Sequence, residues 1–491
     1  IIFLLLGKLF SKDTIRVNFD LFKEYHDIPL LGGNLKPSLQ PPWTQQDFLE
    51  NLILLQPQTL RWPGAEAANY FDWHQGSLLP CYKWLESSHP FDHLDNEMCG
   101  QQWDQFCLHG DAYPKTIQTE LMNGKMRSVN YVDNYASNYV NTIKNVRNSI
   151  DGKSMVPFFT LNVLSPNYYH PDSVEFGENC KVINTEPVNT ISQQLDSIAV
   201  LTKGMDEVFV QLGNEPWHTQ SYKDGIMSNA LEYFKKMVTI AREIDSHSEL
   251  QHVKVGLFAD VHSNDIEGDD CEPVRCTWND SMHVILNDEN AHDLFDAYSL
   301  HKYSGLKRMR IPADFDEYCE PIEPISWLPI EIEDIPEFNS CQMGYLIKWM
   351  IIDQENMFIN WSGTNQYSGL YSSLFGDQPK EIWITEYDMG LDGQNAYDKP
   401  YSNGWPHAIY NLYTTLKYMV EFPRIEMLIQ NNLVGYSGGY RLIDTFSYLD
   451  QNGTNNSKYH DYWESEIQLR PLVSHSFEGL SPKGETMRIL N

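Results

Sequence analysis

Short apolar runs alternate with longer segments of helical periodicity along most of this chain of 491 residues. The short runs are rich in Val, Ile, Leu, Phe and Trp and are bounded by Gly, Pro, Asn or Asp, which is typical of buried strands. The longer segments repeat apolar residues every three or four positions, which is typical of helices with one buried face. On this pattern we predict core strands at 28–33, 59–64, 155–162, 208–215, 252–258, 294–301, 381–388 and 425–430.

Predicted helices separate these strands, at 42–55, 131–150, 189–203, 227–244, 282–294, 344–359 and 406–421. A regular alternation of strand and helix of this length is typical of a parallel sheet that closes into a barrel. The predicted fold class is therefore α/β, a (β/α)8 TIM barrel with long loops between its strands and helices. A doubly wound open sheet is the alternative, but the sequence has no strand–GxGxxG–helix unit that would favour it.

The predicted barrel begins at residue 28. Residues 1–27 form an N-terminal segment with a possible accessory strand at 14–19, where apolar and polar residues alternate. Residues 28–491 form the barrel, with a possible β-hairpin near 436–460 and a closing helix near 480–490. We therefore expect at most a rudimentary accessory β element beside the barrel.

The net charge of the chain is strongly negative, −32 at pH 7. Such a field repels nucleic acids and anionic membranes, and it weakly disfavours strongly anionic polymers as substrates. We therefore expect no nucleic-acid partner and no membrane insertion. The sequence contains no HExxH motif and no EF-hand loop, so we expect no metal and no cofactor.

Cysteines and glycosylation motifs indicate an exported protein. The cysteines form an even set without a CxxC or a Cys/His zinc spacing, which favours disulfides over metal, and they are Cys81, Cys99, Cys107, Cys180, Cys271, Cys276, Cys319 and Cys341. Motifs that could carry N-linked glycans begin at Asn279, Asn360, Asn452 and Asn455. The apolar opening at 1–7 is either the tail of a signal-peptide core or an ordered N-terminal segment. We predict a secreted protein, and self-assembly stays open.

Two glutamates stand at the ends of buried strands. The apolar run 208–212 leads to Glu215, which follows an amide, Asn214. The apolar run 382–384 leads in the same way to Glu386. Because catalytic groups of a (β/α)8 barrel gather at the C-terminal ends of its strands, the two carboxylates should share one site. The pattern therefore predicts an enzyme that works with a pair of carboxylates.

Four motifs of the chain carry a resemblance to a known family. Gly213–Pro216, Thr385–Tyr387 and Leu60–Gly64 with Asn69–Trp73 resemble the large clan of retaining glycoside hydrolases whose catalytic glutamates lie on strands four and seven. Within that clan the likeness is closest to the α-L-arabinofuranosidase and heparanase/β-glucuronidase branches. It covers residues 28–430, roughly the barrel. It implies cleavage of glycosidic bonds in an extracellular poly- or oligosaccharide by double displacement.

The resemblance also implies roles for single residues. Glu215 would be the acid/base and Glu386 the nucleophile. Asn214 would bind the 2-hydroxyl of the sugar, and Arg61 would stabilise the nucleophile. The predicted substrate-binding residues, most of them at the strand ends, are Asn214, Arg61, His301, Tyr303, Trp217, Asn162 and Gln430.

Two other functions stay open at this point. A catalytically silent relative would be a glycan-binding module or a structural subunit of an extracellular assembly. An esterase is the third possibility, since Gly435–Gly439 fits GxSxG around Ser437. A nucleophile elbow needs a helix directly after the serine, and the residues that follow have the pattern of a strand. A glycoside hydrolase is therefore the function that the sequence favours.

Overall fold

The computed structural model describes residues 29–35, 43–64, 68–69, 71–73, 77–78, 136–146, 155–163, 175–176, 182–183, 189–216, 229–260, 277–305, 380–390, 405–422, 424–434, 442–445 and 477–490. The predicted strand at 14–19, the predicted helix at 344–359, all the cysteines, Trp217 and Ser437 lie outside these ranges.

Eight parallel strands form a closed barrel. They are β1 (Leu30–Asn34), β2 (Thr59–Trp62), β3 (Val156–Leu161), β4 (Val208–Leu212), β5 (Val253–Phe258), β6 (Ala297–Gly305), β7 (Glu381–Gly390) and β8 (Ile425–Gln430). Each strand pairs with its neighbours in sequence, and β8 closes the barrel by pairing with β1. The predicted (β/α)8 fold class is confirmed.

Helices alternate with the strands in the described part of the chain. They are α1 (Gln46–Leu55), α2 (Ala136–Asn145), α3 (Ile191–Leu201), α4 (Ala230–Ser246), α5 (Trp278–Asp288), α6 (Trp405–Glu421) and α7 (Pro482–Leu490). Side chains cap some of these helices: Thr190 and Gln193 form a capping box at α3, and Asn229 accepts from the N–H of Glu232 at α4. The strand Ile443–Thr445 pairs antiparallel with Phe477–Leu480 beside α7.

Helix α5 begins earlier than predicted, at Trp278 instead of residue 282. The indole of Trp278 donates to the carbonyl of Phe258, 3.0 Å away, and the amide of Asn279 exchanges hydrogen bonds with the backbone of Asp260. These tertiary contacts fix a first turn whose polar sequence has no helical period. They also bury Asn279, which is 1% exposed. A glycan at Asn279 is therefore incompatible with this structure, and the other three glycosylation motifs lie outside the described residues.

The interior of the barrel is packed with aromatic side chains. The Trp383 ring lies 5.1 Å from the ring of Phe209 and 5.7 Å from that of Phe158, centroid to centroid. Gly256 leaves the space for this packing, because a Cβ there would lie 2.6 Å from Trp383. The barrel is thus a solid core, as in other barrels of this kind, and the polar chemistry is confined to the ends of the strands.

Helix α2 locks β2 against β3 beside that core. Its Tyr139 hydroxyl donates to the carbonyl of Leu60 and accepts from the amide of Phe158. Burial raises the pKa of Tyr139, so the hydroxyl stays protonated as a donor. This contact fixes the strand that carries Arg61.

Among the described residues, every helix is too short or too polar to cross a membrane.

Candidate active site

Backbone geometry at the end of β4 presents Glu215. Gly213 has a φ of +82°, and a Cβ there would lie 2.8 Å from Val163, so this position favours glycine. Asn214 is held by Asn69, whose amide donates to the Asn214 carbonyl and accepts from the Asn214 N–H. Glu215 itself has a φ of +38°, a left-handed conformation that is unusual for glutamate and costs free energy unless its surroundings hold it. The turn is therefore held by its surroundings.

The carboxylate of Glu386, on β7, accepts three hydrogen bonds. Its Oε1 accepts from Nη1 of Arg61 at 2.8 Å and from Nδ2 of Asn34 at 3.0 Å. Its Oε2 accepts from the hydroxyl of Tyr303 at 2.6 Å. The side chain is only 6% exposed. Charged and polar donors therefore hold both oxygens of this buried group in place.

Arg61 connects four strands at this end of the barrel. Besides Glu386 on β7, its guanidinium donates to Gln211 at 3.0 Å, to Asn34 at 3.0 Å and to Asn214 at 2.6 Å. Burial lowers the pKa of Arg61, and the neighbouring carboxylate of Glu386 acts in the opposite direction. Because arginine stays protonated even so, it serves as a fixed, buried cation.

His301 lies between the two carboxylates. A shift in register between β6 and β7 places His301 directly opposite Glu386. Nδ1 of His301 is 2.8 Å from Oε1 of Glu215 and 3.7 Å from Oε2 of Glu386. These two oxygens therefore cannot be further apart than the sum of the two distances, about 6.5 Å. The site thus contains two carboxyl groups separated by roughly one sugar ring.

The two glutamates differ in exposure. The side chain of Glu215 is 28% exposed, while that of Glu386 is 6% exposed. In the described part of the chain, Nε2 of His301 is buried without a hydrogen-bond partner, and the ring packs edge-on against Phe258. A hydrogen on Nδ1 of His301 therefore has the carboxylates as its acceptors, and Glu215 is the nearer one.

Six of the predicted site residues come together in this cluster, and they are Arg61, Asn214, Glu215, His301, Tyr303 and Glu386. Two others lie at the predicted strand ends and make different contacts. Asn162 donates to the carbonyl of Phe71 at 3.2 Å, and Gln430 donates to the hydroxyl of Tyr387 at 2.9 Å. These contacts tie the ends of β3 and β8 to neighbouring segments.

Sequence reasoning missed Asn34, although it donates directly to Glu386. Its signal was the same as that of the glutamates, a polar residue at the end of an apolar strand. Gly64 carries a second signal, because a Cβ there would lie 1.9 Å from Oδ1 of Asn34. The Pro-Gly pair after β2 therefore leaves room for the Asn34 amide.

A second polar cluster, also unforeseen, surrounds Asp388 on β7. Its carboxylate accepts from Nε2 of His407 at 2.6 Å, from Nδ2 of Asn411 at 2.9 Å and from Nζ of Lys483. Burial alone would raise the pKa of Asp388, but Lys483 and His407 outweigh it and leave the pKa lowered. Asp388 is therefore an ionised, buried anion.

Within the described ranges, no group of three or more His, Cys, Asp or Glu residues is arranged to hold a metal ion.

Fold and site together define a (β/α)8 barrel protein with a paired-carboxylate site at the C-terminal ends of its strands. Several solved structures are similar to it in fold. An α-L-arabinofuranosidase from Thermotoga maritima matches 85% of this chain and 66% of its own, with 13% identity and a TM-score of 0.41. A family 51 α-L-arabinofuranosidase from Bifidobacterium longum matches 85% of this chain and 69% of its own, with 10% identity and a TM-score of 0.45.

A third similar structure is a GH39 β-xylosidase from Caulobacter crescentus, which matches 94% of this chain and 71% of its own, with 9% identity and a TM-score of 0.37. The chain thus spans about two thirds of the length of the arabinofuranosidases. No protein-family model matches the sequence, and no curated protein matches it either.

Proposed function

We propose that this chain is a glycoside hydrolase that cleaves glycosidic bonds with retention of configuration. One observation carries the proposal: the carboxyl groups of Glu215 and Glu386 both lie close to Nδ1 of His301, at 2.8 Å and 3.7 Å, so one oxygen of each is at most about 6.5 Å from the other. Retaining enzymes hold their two carboxyl groups about 5–5.5 Å apart, whereas inverting enzymes need roughly 6.5–9.5 Å to admit a water molecule. The upper limit of about 6.5 Å falls at the lower end of the inverting range, and direct attack by one carboxylate is the mechanism that we propose.

Glu386 is the nucleophile in this proposal. A nucleophilic carboxylate has to be ionised and held in place. The cation of Arg61 and the donors Asn34 and Tyr303 contact both oxygens of Glu386 and hold the carboxylate in place. The near absence of exposure also keeps bulk water from the nucleophile.

Glu215 is the acid/base. Such a group exchanges protons with the leaving oxygen and with water, so it has to reach the solvent side of the site. Its larger exposure fits that role. The left-handed turn at Glu215 sets where the carboxyl group stands, and Nδ1 of His301 then orients it.

The reaction takes place in two steps. In the first, the Glu386 carboxylate attacks the anomeric carbon while Glu215 gives its proton to the leaving oxygen, which forms a glycosyl ester on Glu386 and releases the aglycone. In the second, Glu215 takes a proton from a water molecule, and that water attacks the anomeric carbon and releases Glu386. Asn214 is placed to bind the 2-hydroxyl of the sugar, since its side chain lies beside Arg61 in the same site.

The proposed substrate is an extracellular poly- or oligosaccharide, and the protein is proposed to be secreted. The net charge of −32 disfavours strongly anionic polymers in the absence of a local basic site. The glycosylation motifs at Asn360, Asn452 and Asn455 fit an exported chain. The reaction as written needs no metal and no cofactor.

The experiment that tests this proposal is a screen of aryl glycosides with the wild-type protein, followed by the Glu386→Gln variant. We expect hydrolysis of at least one glycoside and no turnover by the variant. An activated fluoroglycoside of the same sugar should attach covalently to Glu386, as read by peptide mass spectrometry. Proton NMR of the first-formed sugar should give the anomeric configuration of the substrate. An inverted product, or a label on another residue, would contradict the mechanism.

The acid/base role has its own test in Glu215→Ala. With a natural leaving group the rate should fall by roughly 10²–10⁴-fold, the usual contribution of general acid–base catalysis. With an activated aryl leaving group the first step needs no proton, so added azide should restore turnover and give a glycosyl azide. Glu243→Ala, an exposed position on α4, is the matched control and should behave as wild type.

A further inference from the structure

Lys483, at the start of α7, places its ammonium group inside the protein. The residue is only 3% exposed. Its position in the first turn of a helix is electrostatically unfavourable, because the N-terminal end of a helix carries a partial positive charge. Burying a lysine also costs free energy unless its charge is paired. Something beyond helix formation therefore accounts for a lysine at this position.

The backbone around Lys483 is fixed tightly. The N–H of Ser481 donates to the carbonyl of Leu442 at 2.9 Å, and the Ser481 hydroxyl caps the helix by accepting from the N–H of Gly484 at 3.1 Å. A Cβ at Gly484 would lie 2.0 Å from the same Leu442 carbonyl. Helix α7 is thus docked closely on the segment after β8, and Lys483 points from there to the strand ends.

Two acceptors of the Lys483 ammonium lie in the described part of the chain. The ammonium donates to the carboxylate of Asp388, two residues beyond Glu386 on β7, and to the carbonyl of Asn431 at 2.7 Å. Asn431 directly follows β8. Lys483 therefore joins the segment after β8 to the strand that carries Glu386.

Asn431 continues the connection to the active site. Its side-chain oxygen accepts from Nδ2 of Asn34 at 3.0 Å. The same Nδ2 donates to Oε1 of Glu386 at 3.0 Å, while Oδ1 of Asn34 accepts from Arg61. Because the two ends of the Asn34 amide have opposite hydrogen-bonding roles, Asn431 helps to determine which end faces Glu386.

We propose that Lys483 is a positioning residue for the nucleophile: it holds Asn431 and Asp388 so that the amide of Asn34 presents its N–H to Glu386. This inference rests on the proposed function of Glu386. Lys483 touches neither Glu386 nor a substrate in this scheme, and it acts through Asn431. The groups on Glu386 itself are Arg61 and Asn34 with Tyr303 and His301, and those on Asp388 are Lys483, His407 and Asn411.

The test is a double-mutant cycle with Lys483→Met and Asn431→Ala, measured on the glycoside that the wild-type protein hydrolyses best. Each single variant should lower kcat by roughly tenfold to a hundredfold, the cost of displacing a reacting group by about 1 Å. KM should change less than about twofold, because neither residue contacts the substrate in this scheme. The double variant should be no slower than the slower single variant, because the effects of substituting two residues of the same hydrogen-bond network are not additive.

Arg488→Met is the matched control on the same helix. Arg488 is exposed and pairs with Glu485 one turn away, so its removal should leave kcat and KM unchanged. If Lys483→Met does not fold, the variant Lys483→Met/Asp388→Asn removes both buried charges together and should fold. That variant should have the same lowered kcat, since the contact to Asn431 is still missing.

The outcomes separate this inference from the proposed function. If Lys483→Met or Lys483→Met/Asp388→Asn has the kcat of the wild type while Glu386→Gln is inactive, the positioning role of Lys483 is wrong and the proposed function stands. Fully additive losses in the cycle would also overturn it, because Lys483 would then act independently of Asn431. A wild-type protein that hydrolyses no glycoside would overturn both proposals.

Discussion

Nη1 of Arg61 and Oε1 of Glu386 form an ion pair of 2.8 Å that joins β2 to β7 across the mouth of the barrel. The Arg61 side chain is fully buried and that of Glu386 nearly so. A buried ion pair of this kind is weak evidence for stability, because desolvation of the two charges offsets much of their attraction. Its position at the candidate active site gives it a different role, to hold the carboxylate of Glu386 in place where water is largely excluded.

Removal of Arg61 should destabilise the protein and abolish activity. Arg61→Met leaves Glu386 buried without its cation and leaves the acceptors on Asn34, Gln211 and Asn214 without this donor. We expect the free energy of unfolding to fall by about 3–5 kcal/mol, the usual cost of leaving one partner of a buried pair alone. Urea denaturation at pH 7 measures it.

The control for that prediction is Arg242→Met, which breaks the exposed pair with Glu289. Exposed pairs contribute about 0–1 kcal/mol, so the control should stay close to wild type. Equal losses in the two variants would contradict the structural role of the Arg61 network.

Tyr303→Phe should lower activity with little effect on folding. The hydroxyl of Tyr303 donates to Oε2 of Glu386 at 2.6 Å, and a hydrogen bond to a charged group contributes about 1.5–3 kcal/mol. We therefore expect kcat/KM to fall by roughly 10- to 150-fold. Tyr298→Phe, at the opposite end of β6, serves as the control, and an equal loss there would argue against a specific role of Tyr303.

Gly64→Ala should disturb the active site through Asn34. The added Cβ would lie 1.9 Å from Oδ1 of Asn34, so the amide that donates to Glu386 has to move. We expect the free energy of unfolding to fall by about 1–3 kcal/mol, as for other overpacked sites, together with a clear loss of kcat.

The control for Gly64 is Gly204→Ala. Gly204 has a φ of +80°, and a Cβ added there would have no atom of the described residues within 4 Å. The variant should lose about 1–2 kcal/mol from backbone strain alone and keep its kcat. Thermal unfolding and steady-state kinetics on the same preparations distinguish the two effects.

The stability of the fold should depend on acid through Asp388. Its folded pKa lies below the ordinary value of 3.8, because Lys483 and His407 outweigh the effect of burial. A carboxyl group with a lowered folded pKa stabilises the fold above its unfolded pKa and loses this contribution as the pH falls through the folded pKa. The free energy of unfolding of the wild type should therefore decrease as the pH falls below about 4.

Asp388→Asn should lack that part of the acid dependence. At pH 7 the variant should be less stable than wild type, because Lys483 is then buried without its counter-charge. Urea unfolding of the wild type and the variant at pH 7 and at a series of lower pH values gives the pH dependence of each free energy of unfolding. If the free energy of unfolding of the variant falls with decreasing pH as steeply as that of the wild type, other carboxyl groups cause the acid dependence.

Much of the fold was predictable because periodicity is a local property. The predicted strand 425–430 agrees with β8 residue for residue, and the strand predicted over 208–215 starts at the same residue as β4, which ends at Leu212. The start of α5 was predicted too late, since its first turn is held by Trp278 and Asn279 against β5 and not by apolar spacing. The closing helix predicted near 480–490 is α7, and the hydroxyl of Ser481 caps its start.

By itself the sequence determined where most of the strands and helices lie, that eight strands make a barrel, and that Glu215 follows one of those strands while Glu386 lies on another. These features depend on neighbours along the chain. Closure of the barrel decided the rest: that Arg61 meets Glu386 across 325 positions, that a register shift puts His301 between the carboxylates, and that Lys483 returns from the last helix to Asp388. Such contacts depend on strand stagger and helix docking, which no local pattern of apolar and polar residues encodes.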